Sequence, residues 1–191
     1  MKSAVLTLIV AMTSLVAALP AHAEVVQGNS FVAGFGHPIA GMDHILVMIA
    51  VGVWGVIAGG RALWLWPVAF VSTMLAGFVA AILGLSLPWT DAAIWSSVVV
   101  LALMVALAVR APLWAGAGLV GLFAFFHGHA HGTETMAANL PAYAAGFALA
   151  TAGLHATGIA LGLATQSSVG RISVRMMSVL ALFGVLTWVG G

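Results

Sequence analysis

Residues 62–84 have the sequence ALWLWPVAFVSTMLAGFVAAILG, which contains no charged side chain. A helix of this length crosses a hydrocarbon core of about 30 Å. Its apolar residues are continuous and do not alternate, which favours a helix over a barrel strand. The whole chain of 191 residues is similar, with 63% hydrophobic and only 5% charged residues. Soluble domains carry about 25% charged residues, so we predict an all-α, polytopic membrane protein.

The N-terminal segment, residues 1–23, has the features of a cleavable signal peptide. A lysine and an apolar stretch precede Pro20, and Ala21-His22-Ala23 matches a small-x-small cleavage site. The alternative is an uncleaved first helix. In either case the chain emerges outside the cytoplasm, and residues 24–191 are expected to form one transmembrane domain.

Six further apolar stretches follow, each about 20 residues long as a membrane-crossing helix requires. Glycine, proline and arginine residues separate them, as is typical of turns. In the fifth stretch, glycines among many alanines predict close helix packing, because small residues let helices approach in lipid. We therefore predict spans at 36–58, 62–84, 91–109, 112–130, 141–164 and 171–189, with packing glycines at Gly146, Gly153, Gly158 and Gly162.

The charged residues predict the orientation of these spans. If the chain begins outside, every arginine falls at a cytoplasmic span end, as the positive-inside rule requires. The mature N-terminus and the C-terminus then both lie outside. The arginines are Arg61, Arg110, Arg171 and Arg175, and the acidic residues expected outside are Glu24, Asp91 and Glu134.

One polar segment, His37-Pro38-Ile39-Ala40-Gly41-Met42-Asp43-His44, lies at the predicted outer end of the first span. On a continuous helix, His37 and His44 lie two turns apart on nearly the same face. Pro38 suits the first turn of such a helix, and Gly41 leaves room between the histidines. Placing the Asp43 carboxylate inside a membrane helix costs about 2.5–3.5 kcal/mol, which makes it a candidate functional group.

A second polar segment, Phe126-His127-Gly128-His129-Ala130-His131-Gly132-Thr133-Glu134, lies at the predicted outer end of the fourth span. His127, His131 and Glu134 follow the spacing i, i+4, i+7 and form one helical stripe. His129 points in nearly the opposite direction. Because the first span begins outside and the fourth span ends there, the two segments are expected to meet.

Imidazoles and carboxylates together suit a divalent transition metal such as zinc, nickel, cobalt, copper or iron. The chain has no cysteine, which excludes disulfides and thiolate sites. Asp91 is interpreted either as a helix N-cap or as a charge that collects cations. His155 is either a hydrogen-bonding core residue or a lower step on a metal path. We predict metal ligands at His37, Asp43, His44, His127, His131 and Glu134, with His129, Asp91 and His155 as secondary candidates.

These two segments resemble the HupE/UreJ family of bacterial nickel and cobalt permeases. The resemblance implies a multi-pass protein of the bacterial inner membrane that transports Ni²⁺, with Co²⁺ as the second candidate. It also implies a role in metal recognition for His37, Asp43, His44, His131 and Glu134. The matching residues are His37-Pro38, Gly41, Asp43-His44, Met48, Phe126-His127-Gly128, Ala130-His131-Gly132 and Glu134.

We therefore expect a permease and not an enzyme, with no cofactor besides the transported ion. Its partners are the metal ion and membrane lipid, while the oligomeric state stays open. The net charge of +1 gives no indication of a nucleic-acid partner. No nucleotide-binding loop is present, and the sequence does not distinguish a channel from a proton-coupled carrier. Nickel, cobalt and zinc are not separable by the ligand types.

Two rival functions fit the same residues. An intramembrane metal-dependent hydrolase would use the metal to activate water, and a haem-binding electron carrier would use paired histidines. A transporter differs from a hydrolase because polar residues must continue inward from the metal. The fifth span offers Thr151, His155 and Thr157 for such a path.

We predict that metal binding falls as the pH drops from about 7.5 to about 5, because histidine must be deprotonated to bind a metal and its reference pKa is about 6.5. Equilibrium dialysis of the purified protein against Ni²⁺ across this range measures the effect. Binding that is unchanged at about pH 5 would argue strongly against a histidine site.

Overall fold

The computed structural model describes residues 29–165 and isolated positions between 167 and 179. The predicted signal peptide, residues 1–23, and most of the predicted sixth span therefore lie outside the described residues. The described part is helical throughout, without strands. Its helices are α1 (Ser30–Ala40), α2 (Met42–Ala58), α3 (Ala62–Ile82), α4 (Thr90–Ala106), α5 (Leu113–Glu134) and α6 (Leu140–Ala164).

Three of these helices, α3, α5 and α6, are long and apolar enough to cross a membrane. Helices α1 and α2 meet the same criteria together, although the chain bends by 80° between them. Helix α4 is apolar but has only 17 residues. By length and composition, the described residues contain three or four membrane-crossing helices. The all-helical architecture is confirmed for the described residues, and six spans stay a prediction.

The prediction of one continuous first span is wrong, because the helix breaks at Gly41. The backbone of this residue is extended, with φ −93° and ψ 118°. A Cβ here would lie 2.8 Å from Asp43 Oδ1 and 2.9 Å from His44 Nδ1, so the missing side chain lets both groups fold back over the break. Pro38 lies inside α1 near its end, and not in its first turn. Because Pro38 has no backbone N–H, it removes one helical hydrogen bond and weakens α1 just before the break.

Helices α2 and α6 form a parallel pair whose backbones touch at glycines. A Cβ on Gly52 would collide with the His155 carbonyl, and one on Gly162 would collide with the Val56 side chain. The contacts advance in the same direction along both helices, so the helices run parallel. A Cβ on Gly158 would meet the carbonyl of Ile49, which makes this crossing a contact of backbone on backbone.

Helices α3 and α5 form the second parallel pair. A Cβ on Gly116 would collide with the Trp66 ring, and one on Gly128 would collide with the Met74 carbonyl. Further along, Gly132 meets the backbone of Phe78. Helix α4 packs against α2 and α5, and α1 crosses the first half of α6.

The packing role predicted for the glycines of the fifth span holds for three of the four residues. Gly146 lies against the carbonyl of Phe31, and Gly158 and Gly162 lie against α2. The prediction is wrong for Gly153, since a Cβ there meets nothing within 4 Å.

The helix directions give the bundle two chemically different ends. At one end of the bundle, which we call the Glu134 end, α3 and α5 finish and α2, α4 and α6 begin. The opposite Arg61 end contains Arg61 and Arg110, which flank α3 and α5 at their starts. At this end the Trp54 indole donates to the Val109 carbonyl at 2.8 Å, and the Trp66 indole donates to the Leu113 carbonyl at 3.0 Å. For Arg61 and Arg110, the predicted separation from Asp91 and Glu134 is therefore present along the bundle, whereas Arg171 and Arg175 lie outside the described residues.

We predict that Gly158→Ala lowers the thermal stability of the detergent-purified protein, because its new methyl group must displace the α2 backbone. Overpacking of this kind costs about 1–3 kcal/mol. Gly153→Ala is the matched control on the same helix, and its methyl group enters open space. Thermal unfolding followed by tryptophan fluorescence compares the two. Equal melting temperatures for both variants would contradict the parallel α2–α6 contact.

Candidate metal centre

Four imidazoles from three helices meet at the Glu134 end, and we call them the imidazole cluster: His37, His44, His127 and His131. The break at Gly41 turns His44 into the bundle on the first turn of α2. The His44 ring lies 4.8 Å from the His127 ring and 4.8 Å from the His131 ring, between ring centroids. The His37 ring lies 4.7 Å from the His131 ring. The expectation that the two polar segments meet is therefore confirmed.

The reason given for pairing His37 with His44 is wrong. The two residues do not share a helical face, since they lie on different helices that meet at 80°. Their ring centroids are nevertheless 6.3 Å apart. The bend between α1 and α2 brings the two rings close together, whereas a continuous helix was expected to do so.

Burial divides the imidazole cluster into an open edge and a closed interior. His127 and His131 have no exposed surface, and His44 is 7% exposed. The His37 side chain is 33% exposed and donates from Nε2 to Glu134 Oε2 at 3.1 Å. His37 and Glu134 thus form the edge that water can reach.

Asp43 lies beside the interior of the cluster. Its Oδ1 is 3.0 Å from His44 Nδ1, and 21% of its side chain is exposed. Nδ1 of His44 thus faces a carboxylate oxygen, and Nε2 is buried without a protein hydrogen bond among the described residues. The start of α2 also favours a negative charge at this position, because the helix dipole is positive there.

The tautomer of His127 follows from Ser97, a residue that the sequence analysis missed. Ser97 Oγ donates to the Ile94 carbonyl at 2.6 Å, and it lies 3.0 Å from His127 Nε2. A hydroxyl has one proton, so His127 must donate from Nε2 and keep its lone pair on Nδ1. Nδ1 is buried without a partner in the described structure. Two adjacent serines, Ser96 and Ser97, in an otherwise apolar stretch were the available signal.

Aromatic side chains that the sequence analysis also missed hold the closed interior. The ring of Phe147 stacks on the His131 ring at 5.0 Å and 14°. The Tyr143 ring lies 6.1 Å from the His37 ring and is itself buried. Both nitrogens of His131 lack a protein hydrogen bond within the described part of the chain. Apolar neighbours of this kind position the imidazole and leave its nitrogens unpaired.

The distances between the rings suit metal coordination, but the directions in which their nitrogens point do not. With a metal–nitrogen distance of about 2.0–2.1 Å, two imidazole centroids lie about 4.5 Å apart at a 90° angle and about 5.2 Å apart at a tetrahedral angle. The observed separations of 4.7–4.8 Å fall in this interval. No three histidine, aspartate or glutamate side chains in the described ranges converge on one ion as they stand. Binding therefore requires these side chains to rotate.

Two of the secondary candidates, His129 and Asp91, lie apart from the imidazole cluster. They line a polar cleft of about 400 Å³ on the other side of α5, and Glu134 borders this cleft as well. His129 donates from Nε2 to the Leu85 carbonyl at 2.7 Å, which ties down the α3–α4 connection. The N-cap interpretation of Asp91 is wrong, because the cap residue is Trp89 and Asp91 lies in the first turn of α4.

The third secondary candidate, His155, lies on the bundle-facing side of α6 and is 1% exposed. Its Nδ1 donates to the Thr151 carbonyl at 2.7 Å, so the hydrogen-bonding role holds for one nitrogen. Thr151 is also buried, and its hydroxyl contacts Met74 Sδ at 3.7 Å. Thr157 does not continue this line, since its hydroxyl donates to the carbonyl of Gly153 on the open side of α6.

Comparison with known proteins agrees with the resemblance in the two polar segments. The family described as HupE / UreJ protein matches residues 8–187. The chain is 43% identical over 179 residues to Protein HupE of Rhizobium leguminosarum bv. viciae, and the match covers 91% of this chain and 93% of that protein. No solved structure matches the chain. The matches span nearly the whole sequence, including both polar segments, and the chain belongs to the HupE/UreJ family.

Proposed function

We propose that this chain is a permease that takes up Ni²⁺, and secondarily Co²⁺, across the bacterial inner membrane. Family membership and the helical membrane architecture support transport as the activity. The choice of nickel rests on the resemblance of the two polar segments to nickel and cobalt permeases. The mature N-terminus and the C-terminus lie in the periplasm in this proposal, so that the Glu134 end faces the metal supply.

The observation that carries the proposal is the unpaired state of the buried imidazoles. His44, His127 and His131 have nitrogens that are closed off from water and lack protein hydrogen bonds among the described residues. A buried polar group without a partner costs about 1–3 kcal/mol. A protein keeps such groups where a ligand uses them, and a neutral imidazole nitrogen is a common metal ligand.

The carboxylates supply the charge that a buried cation requires. Asp43 and Glu134 together carry two negative charges when ionised, which balance one divalent cation. A charge placed in a low-dielectric interior is costly unless it is paired. We infer that Glu134 and His37 capture the ion at the open edge, and that Asp43 offsets its charge once His44, His127 and His131 bind it.

We predict that His44→Ala and Glu134→Ala each lower the uptake of radiolabelled Ni²⁺ by at least about tenfold, the loss expected for about 1.4 kcal/mol of binding. His44→Ala removes an interior ligand, and Glu134→Ala removes the carboxylate at the open edge. Uptake into cells is measured at equal membrane expression of each variant.

The matched control for this experiment is His129→Gln, which changes a buried histidine that faces away from the cluster. Glutamine can still donate to the Leu85 carbonyl, so the α3–α4 connection is kept. We expect nearly wild-type uptake from this variant. Equal uptake by wild type, His44→Ala and Glu134→Ala would overturn the site assignment.

Competition measures the selectivity of the same site. We expect excess Co²⁺ to reduce Ni²⁺ uptake strongly, because imidazole and carboxylate ligands discriminate weakly between neighbouring divalent metals. Mg²⁺ prefers oxygen ligands and keeps its waters, so the same excess of Mg²⁺ is expected to have little effect. Inhibition by Mg²⁺ equal to that by Co²⁺ would contradict a histidine-based site.

A further inference from the structure

A buried histidine outside the imidazole cluster has a free nitrogen that neither packing nor hydrogen bonding explains. The Nδ1–H of His155 is bound to the Thr151 carbonyl, so the lone pair of this neutral ring lies on Nε2. Nε2 is buried and has no protein hydrogen bond among the described residues. The tautomer is therefore held in the form that presents a metal-ligating nitrogen.

The ring of Phe70 connects His155 with the imidazole cluster. Its centroid lies 5.8 Å from the His127 ring and 4.9 Å from the His155 ring. Phe70 is fully buried, as are both histidines to within 1%. A single aromatic ring thus separates the innermost imidazole of the cluster from the free nitrogen of His155, within the part of the bundle where α3, α5 and α6 meet.

Beyond His155, a cleft of about 390 Å³ continues between α3 and α6 toward the Arg61 end. It is lined mostly by apolar side chains, including Trp64, Pro67, Val68 and Val71, with the hydroxyl of Ser72 among them. An ion that leaves His155 on this side meets no further strong ligand among the lining residues.

We propose that His155 is the inward acceptor ligand of the transported cation, reached from His127 past the ring of Phe70. This inference rests on the proposed metal uptake. A site that holds an ion with several imidazoles and carboxylates binds it too firmly to conduct it. Release therefore requires a second site that binds the ion more weakly. His155 offers one imidazole nitrogen and leaves the other coordination positions to water.

The first test separates binding from transport. His155→Asn keeps an amide donor for the Thr151 carbonyl and deletes Nε2. We expect this variant to bind Ni²⁺ within about threefold of wild type in equilibrium dialysis, because the imidazole cluster is intact. We expect its uptake of radiolabelled Ni²⁺ to fall at least about tenfold. His129→Gln, the control that changes another buried histidine, is expected to keep both binding and uptake.

The second test detects the ion at the proposed position and does not depend on transport. Because the chain has no cysteine, His155→Cys introduces a single thiol. Co²⁺ bound there gives a thiolate-to-metal charge-transfer absorption in the near ultraviolet, since soft thiolates bind transition metals directly. The wild type is expected to lack this absorption. A purely structural role for His155 predicts no such absorption in the variant.

The outcomes distinguish this inference from the proposed function. If the wild type neither binds nor takes up Ni²⁺, the proposed function is wrong. If the wild type transports, then undiminished uptake by His155→Asn, or no charge-transfer absorption from His155→Cys, overturns the role of His155 alone. If His155→Asn also loses Ni²⁺ binding, its fold is impaired. The charge-transfer absorption of His155→Cys then decides whether the ion binds at this position.

Discussion

Backbone-to-backbone contact at glycines is the constraint on which the rest of the structure depends. In lipid there is no hydrophobic drive between helices, so association relies on close van der Waals packing. Gly128 presses α5 against the Met74 carbonyl of α3, and Gly158 presses α6 against the Ile49 carbonyl of α2. With Gly128 turned to α3, the flanking His127 and His129 are directed to different surroundings. The same contacts that hold the bundle therefore determine which histidines enter the cluster.

Burying polar imidazole rings in an apolar bundle costs free energy, and the packing around the cluster limits this cost. The rings pack against aromatic side chains such as Phe147, which stacks on His131. The carboxylates of Asp43 and Glu134 keep partial contact with water, with side-chain exposures of 21% and 56%. The more exposed carboxylate, Glu134, thus lies at the open edge, Asp43 lies beside the interior, and the buried imidazoles lie inside. This order suits a site that dehydrates a cation in steps.

The proposed path changes character from the Glu134 end to the Arg61 end. It begins at a carboxylate and a partly exposed histidine, continues through buried imidazoles, and passes one aromatic ring to a single histidine. The last step, at His155, has fewer charges and fewer ligands than the cluster before it. Strong capture followed by weak holding is what conduction requires of any selective site.

Much of this protein follows from its sequence, because lipid imposes simple rules on composition. Continuous apolar runs predicted membrane helices, and the spacing of His127, His131 and Glu134 predicted one stripe on α5. Arginine placement predicted that two segments far apart in the chain lie at the same end. Only the tertiary structure decided that Gly41 breaks the first span, that His37 and His44 meet across a bend, and that Ser97 and Phe70 contact the histidines. Periodicity assumes a continuous helix, whereas these contacts arise from a local break and from neighbouring helices that no spacing within one segment describes.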